Sequence, residues 1–142
     1  MPSLCDINVL VALAYRKQQF HPVAAAWLTD VTTSREIALC RVSQLGFLRL
    51  LNNPVVMKTD ALSVADVWRI LDSMMHDERF YFAEEPRGLD KIMREFMLGQ
   101  QFSPKLWQDA YLAAFALAVG LTLVSFDVGF RQFKKLDLNL LS

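Results

Sequence analysis

The stretch "SLCDINVLVAL", residues 3–13, decides the fold, because it joins a buried strand to a helix through one carboxylate. Almost every residue in it is apolar, yet Asp6 lies inside it, with Asn8 two positions later. A buried carboxylate is costly unless something compensates its charge. We predict a strand that ends at Asp6 and a helix from about Ile7 to Tyr15. We expect the charge of Asp6 to be compensated by the start of a helix, by a partner side chain or by a metal ion.

The rest of the chain alternates apolar strands with helical patterns. Four further strands are predicted at "EIALC" (36–40), "RFYFAEE" (79–85), "LTLVSFD" (121–127) and "LDLNLL" (136–141). Helical spacing predicts helices over 21–33, 41–53, 63–77, 87–100 and 103–120. Strands without clean alternation, separated by helices, are typical of a parallel sheet covered on both faces. We therefore predict an α/β protein, a three-layer α/β/α sandwich with a central parallel sheet, as a single domain over residues 1–142.

Composition excludes several classes of protein. The chain is 54% hydrophobic and 21% charged, with a net charge of zero. No apolar run approaches the length that spans a bilayer, and no basic segment precedes the first apolar stretch, so we expect a cytoplasmic protein without a membrane partner. Because the net charge is zero, nucleic-acid binding would need a local basic patch.

The two cysteines, Cys5 and Cys40, lie in two predicted strands. We expect them to be reduced core residues, although a disulfide is open if those strands are neighbours. With His21 and His76 they do not have the spacing of a zinc site.

Acidic residues are the main candidates for chemistry. Asp6 and Asp127 each follow a predicted strand directly, at the sheet edge where ligands bind in parallel α/β folds. Asp109 is the third acid, in an otherwise apolar helix several residues past the expected start at Ser103. Each has a structural alternative: Asp6 as a helix cap, Asp127 as a turn residue and Asp109 as a solvated residue near a helix N-terminus.

Three converging carboxylates would repel one another unless a cation lies between them. Mg²⁺ or Mn²⁺ suits such hard oxygen ligands, and the resulting site activates water and stabilises a phosphoryl group. The sequence has no P-loop, so hydrolysis of nucleoside triphosphates is not expected.

Four segments together resemble one known family. "CDINVLVAL" (5–13), "SQLGFLRLLNNP" (43–54), "WQDAYLAAFAL" (107–117) and "LVSFDVGF" (123–130) resemble the PIN-domain ribonucleases, in particular the VapC-type toxins of bacterial type II toxin–antitoxin systems. The resemblance covers almost the whole chain. It implies a PIN-like fold and an endoribonuclease toxin that hydrolyses RNA phosphodiester bonds with Mg²⁺ or Mn²⁺. It also implies neutralisation by a cognate, VapB-like antitoxin.

The resemblance assigns roles to individual residues. Asp6, Asp109 and Asp127 match the family's acids and would be both the catalytic residues and the metal ligands. Asn8 and Ser125 match polar positions that would orient those ligands.

One position departs from the family pattern. The family usually has a Glu just before its "GF-x-R" segment, and this chain has Gln44 there. Gln44 would stand beside the metal ligands, but it carries no charge and cannot act as a general base. An alternative is therefore a catalytically weakened PIN-fold protein that binds RNA or a partner. Another is a phosphatase with Asp6 as nucleophile, although that class needs a second Asp where Asn8 stands.

Contacts with partners are assigned less directly. Arg49, Arg131, Lys134 and Lys135 are candidates for RNA or partner contact, with a solvated charged surface as the alternative. The high apolar content also leaves room for a homodimer face or an antitoxin groove, for example on the helix that carries Trp68.

Overall fold

The computed structural model describes residues 2–142 and places five strands in one sheet. These are β1 (Ser3–Cys5), β2 (Ile37–Leu39), β3 (Phe80–Phe82), β4 (Thr122–Ser125) and β5 (Leu138–Leu140). Their order across the sheet is β3-β2-β1-β4-β5, and every pairing is parallel. The predicted central parallel sheet is confirmed.

Helices cover both faces of this sheet. They are α1 (Ile7–Ala14), α2 (His21–Thr29), α3 (Arg41–Asn52), α4 (Pro54–Met57), α5 (Val64–His76), α6 (Leu89–Met97) and α7 (Leu106–Val119). The one-turn helix α4 was not predicted. It forms because Pro54 suits a first helical position and the Asn53 side chain accepts a hydrogen bond from the backbone N–H of Val55 at 2.9 Å.

Alternation along the short strands divides the interior into two cores. Leu4, Ala38 and Leu123 pack with side chains of α6 and α7. Their strand neighbours Cys5, Leu39 and Val124 pack with side chains of α1, α3 and α5. The sheet is therefore buried on both faces, which is why its strands lack polar alternation. Both cysteines are buried and free, as predicted.

The chain reverses its direction of travel across the sheet between β1 and β4. It first adds β2 and β3 on one side of β1, and later adds β4 and β5 on the other. Connections that leave β1 and β4 in opposite directions open a crevice at the carboxyl ends of these two strands. Asp6 and Asp127 both follow these strands.

The N-terminus of α7 differs from the prediction. The helix begins at Leu106 and not at Ser103, because the Ser103 carbonyl accepts a hydrogen bond from the Leu106 N–H at 3.1 Å in a preceding turn. Asp109 therefore lies in the first helical turn, where the helix dipole favours a carboxylate more than we expected.

Helix lengths also bear on membrane insertion. Within residues 2–142, no helix has both the length and the apolar character that a bilayer crossing requires.

Candidate active site

Asp6 lies at the carboxyl end of β1, and its side chain is only 5% exposed. Its Oδ1 accepts a hydrogen bond from the backbone N–H of Ile7 at 2.7 Å and so caps α1. Its Oδ2 accepts a hydrogen bond from the Ser125 hydroxyl at 2.7 Å. A helix start and a partner side chain therefore both contribute to its compensation.

The Ser125 hydroxyl connects the ends of β1 and β4. It donates to Asp6, and it accepts from the backbone N–H of Asp127 at 2.9 Å and from Asn8 Nδ2 at 3.5 Å. One donor and two acceptor positions are thus all used. The Asp127 side chain in turn accepts from the Gly129 N–H at 2.8 Å, which is the turn role considered from sequence. Ser125 therefore fixes the relative positions of the two strand-end acids.

Asp109 approaches this pair from the first turn of α7 and is 8% exposed. Within residues 2–142, no side chain or backbone N–H donates a hydrogen bond to its carboxylate. Lys105 precedes it by one helical turn, at the N-cap position of α7, and makes no side-chain capping hydrogen bond. The position of Asp109 is therefore set by α7, and no hydrogen bond fixes its carboxylate within the described residues.

Burial and charged neighbours raise the pKa values of Asp109 and Asp6. Burial raises the pKa of Asp109 to about 7, the charges of Asp6 and Asp127 add to the rise, and Lys105 opposes it. Burial likewise raises the pKa of Asp6, which the hydrogen bond from Ser125 partly offsets. Because burial shields the site from water, three ionised carboxylates are unfavourable there unless a cation lies nearby.

An open cavity of about 260 Å³ connects the β1 end to α7. Its lining residues are Asp6, Ile7, Asn8, Arg49, Leu50, Pro104, Lys105, Gln108 and Asp109. The side chains of Arg49 and Lys105 bring positive charge to the same cavity as Asp6 and Asp109, whereas Asp127 is not among its lining residues. Arg49, predicted as a contact residue, therefore lies where a phosphate could reach it.

The residues at the cavity fit a hard divalent cation in their chemistry. The donors are carboxylate oxygens, and the buried Oδ1 of Asn8 has no hydrogen-bond partner. No three His, Cys, Asp or Glu side chains within residues 2–142 are arranged to hold one ion as they stand. Side-chain rotation at the acids would therefore accompany metal binding.

Gln44 lies on the second turn of α3, where a Glu was expected. Its side-chain Oε1 accepts a hydrogen bond from the Arg41 guanidinium, and Gln44 is absent from the cavity lining. The structure therefore directs this amide towards its neighbour on α3.

The remaining basic candidates do not line the cavity of Asp6 and Asp109. Arg131, Lys134 and Lys135 line a separate cavity of about 510 Å³ beside β5, which shares no lining residue with the acidic cavity. Their contact with RNA or a partner stays a prediction.

Sequence reasoning missed Lys105 and Gln108 at the acidic cavity. Lys105 stands four residues before Asp109, the spacing that puts two side chains on the same helix face, so its place beside Asp109, but not beside Asp6, could have been inferred. No comparable sequence signal identifies Gln108, because its placement at the cavity depends on where α7 begins.

Known proteins resemble this chain over most of its length. The family model "PIN domain" matches residues 3–136. Ribonuclease VapC41 of Mycobacterium tuberculosis (strain ATCC 25618 / H37Rv) is 38% identical over 143 aligned positions, which cover 98% of each chain. Ribonuclease VapC44 of the same strain is 33% identical, with 89% of this chain and 87% of that protein covered.

Solved structures share the fold at low sequence identity. VapBC2 from Rickettsia felis, bound to a DNA fragment from its promoter, matches with a TM-score of 0.70 and 15% identity over 100% of both chains. Mycobacterium tuberculosis VapC20, a Sarcin-Ricin loop cleaving toxin, matches with a TM-score of 0.66 and 14% identity over 90% of this chain and 92% of that one. With its parallel sheet, its strand-end acids and these full-length similarities, the chain belongs to the PIN domain family and, within it, to the VapC ribonucleases.

Proposed function

We propose that this protein is a metal-dependent endoribonuclease toxin that hydrolyses RNA phosphodiester bonds and is neutralised by a cognate antitoxin. The observation that carries the proposal is the convergence of Asp6, Asp109 and Asp127 at the β1–β4 crevice. The pKa of Asp109 rises partly through the charges of the other two acids. Similarity to proteins named ribonuclease VapC over nearly the whole chain supports the ribonuclease assignment.

The three acids would hold Mg²⁺ or Mn²⁺, with Asn8 Oδ1 as a further oxygen donor. When bound, such an ion lowers the pKa of an attacking water and stabilises charge on the phosphoryl group. Ser125 orients Asp6 and the backbone of Asp127 for this task through its hydrogen bonds of 2.7 and 2.9 Å. Loss of this support would loosen the ligand geometry without removing a ligand.

The reaction we propose is hydrolysis at one phosphodiester. The water oxygen forms the new bond to phosphorus and the bond from phosphorus to the 3′ oxygen breaks, which leaves a 5′-phosphate and a 3′-hydroxyl. The proton of the water passes to one of the carboxylates or to bulk solvent, and the leaving oxygen takes up a proton. Arg49 lines the cavity and supplies positive charge for the RNA backbone.

An antitoxin and a second copy of the chain are the proposed protein partners. Antitoxin binding is supported by the structural similarity to VapBC2 of Rickettsia felis and to a toxin–antitoxin complex from Klebsiella pneumoniae, at a TM-score of 0.61 and 14% identity. A homodimer is supported by apolar surface on α3 and α5, where Leu45 is 56%, Val64 62% and Trp68 50% exposed. We place the activity in the cytoplasm, where cellular RNA is available.

Growth after induced expression tests the proposal. We expect growth arrest with the wild-type chain, relief on co-expression of the antitoxin, and no arrest with Asp6→Ala at equal protein level. An Asp30→Ala variant is a matched control, because Asp30 caps the C-terminal end of α2 away from the cavity lining. Equal toxicity of wild type and Asp6→Ala would refute the proposed active site.

One observation favours the alternative of a weakened, RNA- or partner-binding protein. Gln44 replaces the expected Glu, and its amide pairs with Arg41 outside the acidic cavity. The site therefore has one acidic group fewer than the family pattern. Cleavage by Gln44→Glu, combined with an inert wild type at saturating Mn²⁺, would establish this alternative.

A further inference from the structure

Lys105 is the basic residue of the cavity that lies nearest in sequence to one of its acids, Asp109. It occupies the N-cap position of α7, one turn before Asp109, without a side-chain capping hydrogen bond. Its side chain lines one cavity with Asp6 and Asp109, so it faces the end of β1 as well as its own helix. Lys105 is therefore electrostatically part of the active site and not a remote surface residue.

The ammonium of Lys105 is free to bind a ligand. Across residues 2–142, no carboxylate lies within 4.0 Å of its Nζ as an ion-pair partner, and no hydrogen bond engages it. Lys17, in contrast, pairs with Asp60 at 3.6 Å. The exposed side chain of Lys105 thus keeps its three donors for an incoming oxygen atom.

Charge at the cavity favours one divalent ion over two. The cavity lining carries two acids, Asp6 and Asp109, and two bases, Arg49 and Lys105, and the charge of Asp127 also acts on Asp109. One divalent ion therefore already leaves the site slightly positive, and a second ion would add two further positive charges.

We propose that Lys105 binds a non-bridging oxygen of the scissile RNA phosphate beside a single divalent ion. The proposal rests on the ribonuclease function proposed above. It gives the ammonium the charge-stabilising part that a second metal ion plays in two-metal sites. Lysine suits this part because it acts as a compact point charge on phosphate.

Metal binding tests the first half of the proposal without any cleavage. We would titrate Mn²⁺ into metal-stripped protein and follow free Mn²⁺ by electron paramagnetic resonance. Wild type should bind one ion per chain. Lys105→Met should bind the first ion about tenfold more tightly, since a positive charge that lines the same cavity is removed, while Lys105→Arg should resemble wild type. Two ions per wild-type chain, or unchanged affinity in Lys105→Met, would overturn the proposal.

RNA binding tests the second half. We would measure the affinity for a single-stranded RNA over a range of KCl concentrations, with Ca²⁺ in place of Mg²⁺ and intact RNA verified on a gel. The slope of log K against log salt is negative, and Lys105→Met should make it shallower by about 0.7, the value for one phosphate contact on a single strand. Lys91→Met, an exposed lysine of α6 outside the cavity lining, is the matched control and should keep the wild-type slope. Identical slopes for the two variants would overturn phosphate binding by Lys105.

The two failures are distinguishable. A wild-type chain that neither binds nor cleaves RNA would refute the ribonuclease function and phosphate binding together, and the Mn²⁺ titration would still decide whether Lys105 acts as a cation of the cavity. A wild-type chain that cleaves RNA, combined with Lys105→Met behaving as Lys91→Met in both assays, would refute only the role of Lys105.

Discussion

The two halves of the acidic site are held in different ways. At the strand ends, Asp6 and Asp127 are fixed by hydrogen bonds that pass through Ser125 and the backbone. On α7, Asp109 accepts no hydrogen bond within residues 2–142, and Lys105 is its charged neighbour. The strand-end half is therefore rigid and contributes to folding, whereas the helix half is electrostatically strained and open to a cation. Substitutions in the two halves should therefore differ in their effects on stability and on RNA cleavage.

The largest effect is expected at Asp6, which has both a structural and a chemical role. Asp6→Ala should lower kcat/KM on RNA by about 10²–10³-fold, because the site loses a charged group that stabilises the reaction. It should also lower the free energy of unfolding by about 1 kcal/mol through loss of the α1 cap. Asp6→Ser can still cap the helix, so it should recover most of that stability in urea unfolding while staying inactive. Recovery of cleavage by Asp6→Ser would contradict a role for the carboxylate.

Ser125 should affect activity less, because it positions ligands without being one. Ser125→Ala should lower kcat/KM by about 10- to 100-fold and weaken Mn²⁺ binding. It should also cost about 1–2 kcal/mol of stability, since buried polar groups on Asp6 and Asp127 lose their partner. Thr122→Ala, at the other end of β4, is the matched control for loss of a strand hydroxyl. If Ser125→Ala loses stability but binds Mn²⁺ as wild type does, the serine is only a folding residue.

Asp109 should show the opposite stability effect in the metal-free protein. Its pKa is raised to about 7 in the folded chain, so folding favours the protonated form and the stability contribution of this group falls as pH rises from about 4 through 7. Asp109→Asn removes that penalty. It should raise stability at pH 8 by about 1–2 kcal/mol, after allowance for solvent at the cavity mouth, and much less at pH 5. Melting curves at both pH values check this, and equal shifts at the two would exclude a buried-charge penalty.

The smallest effect is expected at Gln44, outside both halves. Gln44→Glu should change kcat/KM by less than about threefold, because its side chain pairs with Arg41 and does not line the cavity. Gln101→Glu, an exposed position before α7, controls for added surface charge. A large gain specific to Gln44→Glu would show that this side chain can reach the metal and that the natural chain is weakened.

Much of this architecture followed from sequence. The apolar strands predicted the parallel sheet, and the acids after β1 and β4 predicted the edge at which they meet. The start of α7 was misplaced because Ser103-Pro104 has the composition of a helix start, whereas the backbone forms a separate turn there. Ser125 came from family resemblance, and its three hydrogen bonds depend on the exact register of β1 and β4.

Lys105 shows what pattern reasoning overlooks. A lysine near a helix start is usually a solvated residue, and nothing local to "SPKLWQD" indicates a second acid across the cavity. Only the approach of α7 to the end of β1 brings Lys105 and Asp6 to the same cavity. Long-range placement of this kind depends on packing and cannot be read from spacing along one helix.

Cleavage of RNA by Asp109→Asn at pH 8 in saturating Mn²⁺ decides whether the three acids form one active site. This variant should be at least as stable as wild type without metal, so unfolding cannot explain a loss of activity. Cleavage should fall by about 10²-fold or more, because a charged group of the active site is removed. Cleavage at the wild-type rate would contradict an active site formed by Asp6, Asp109 and Asp127.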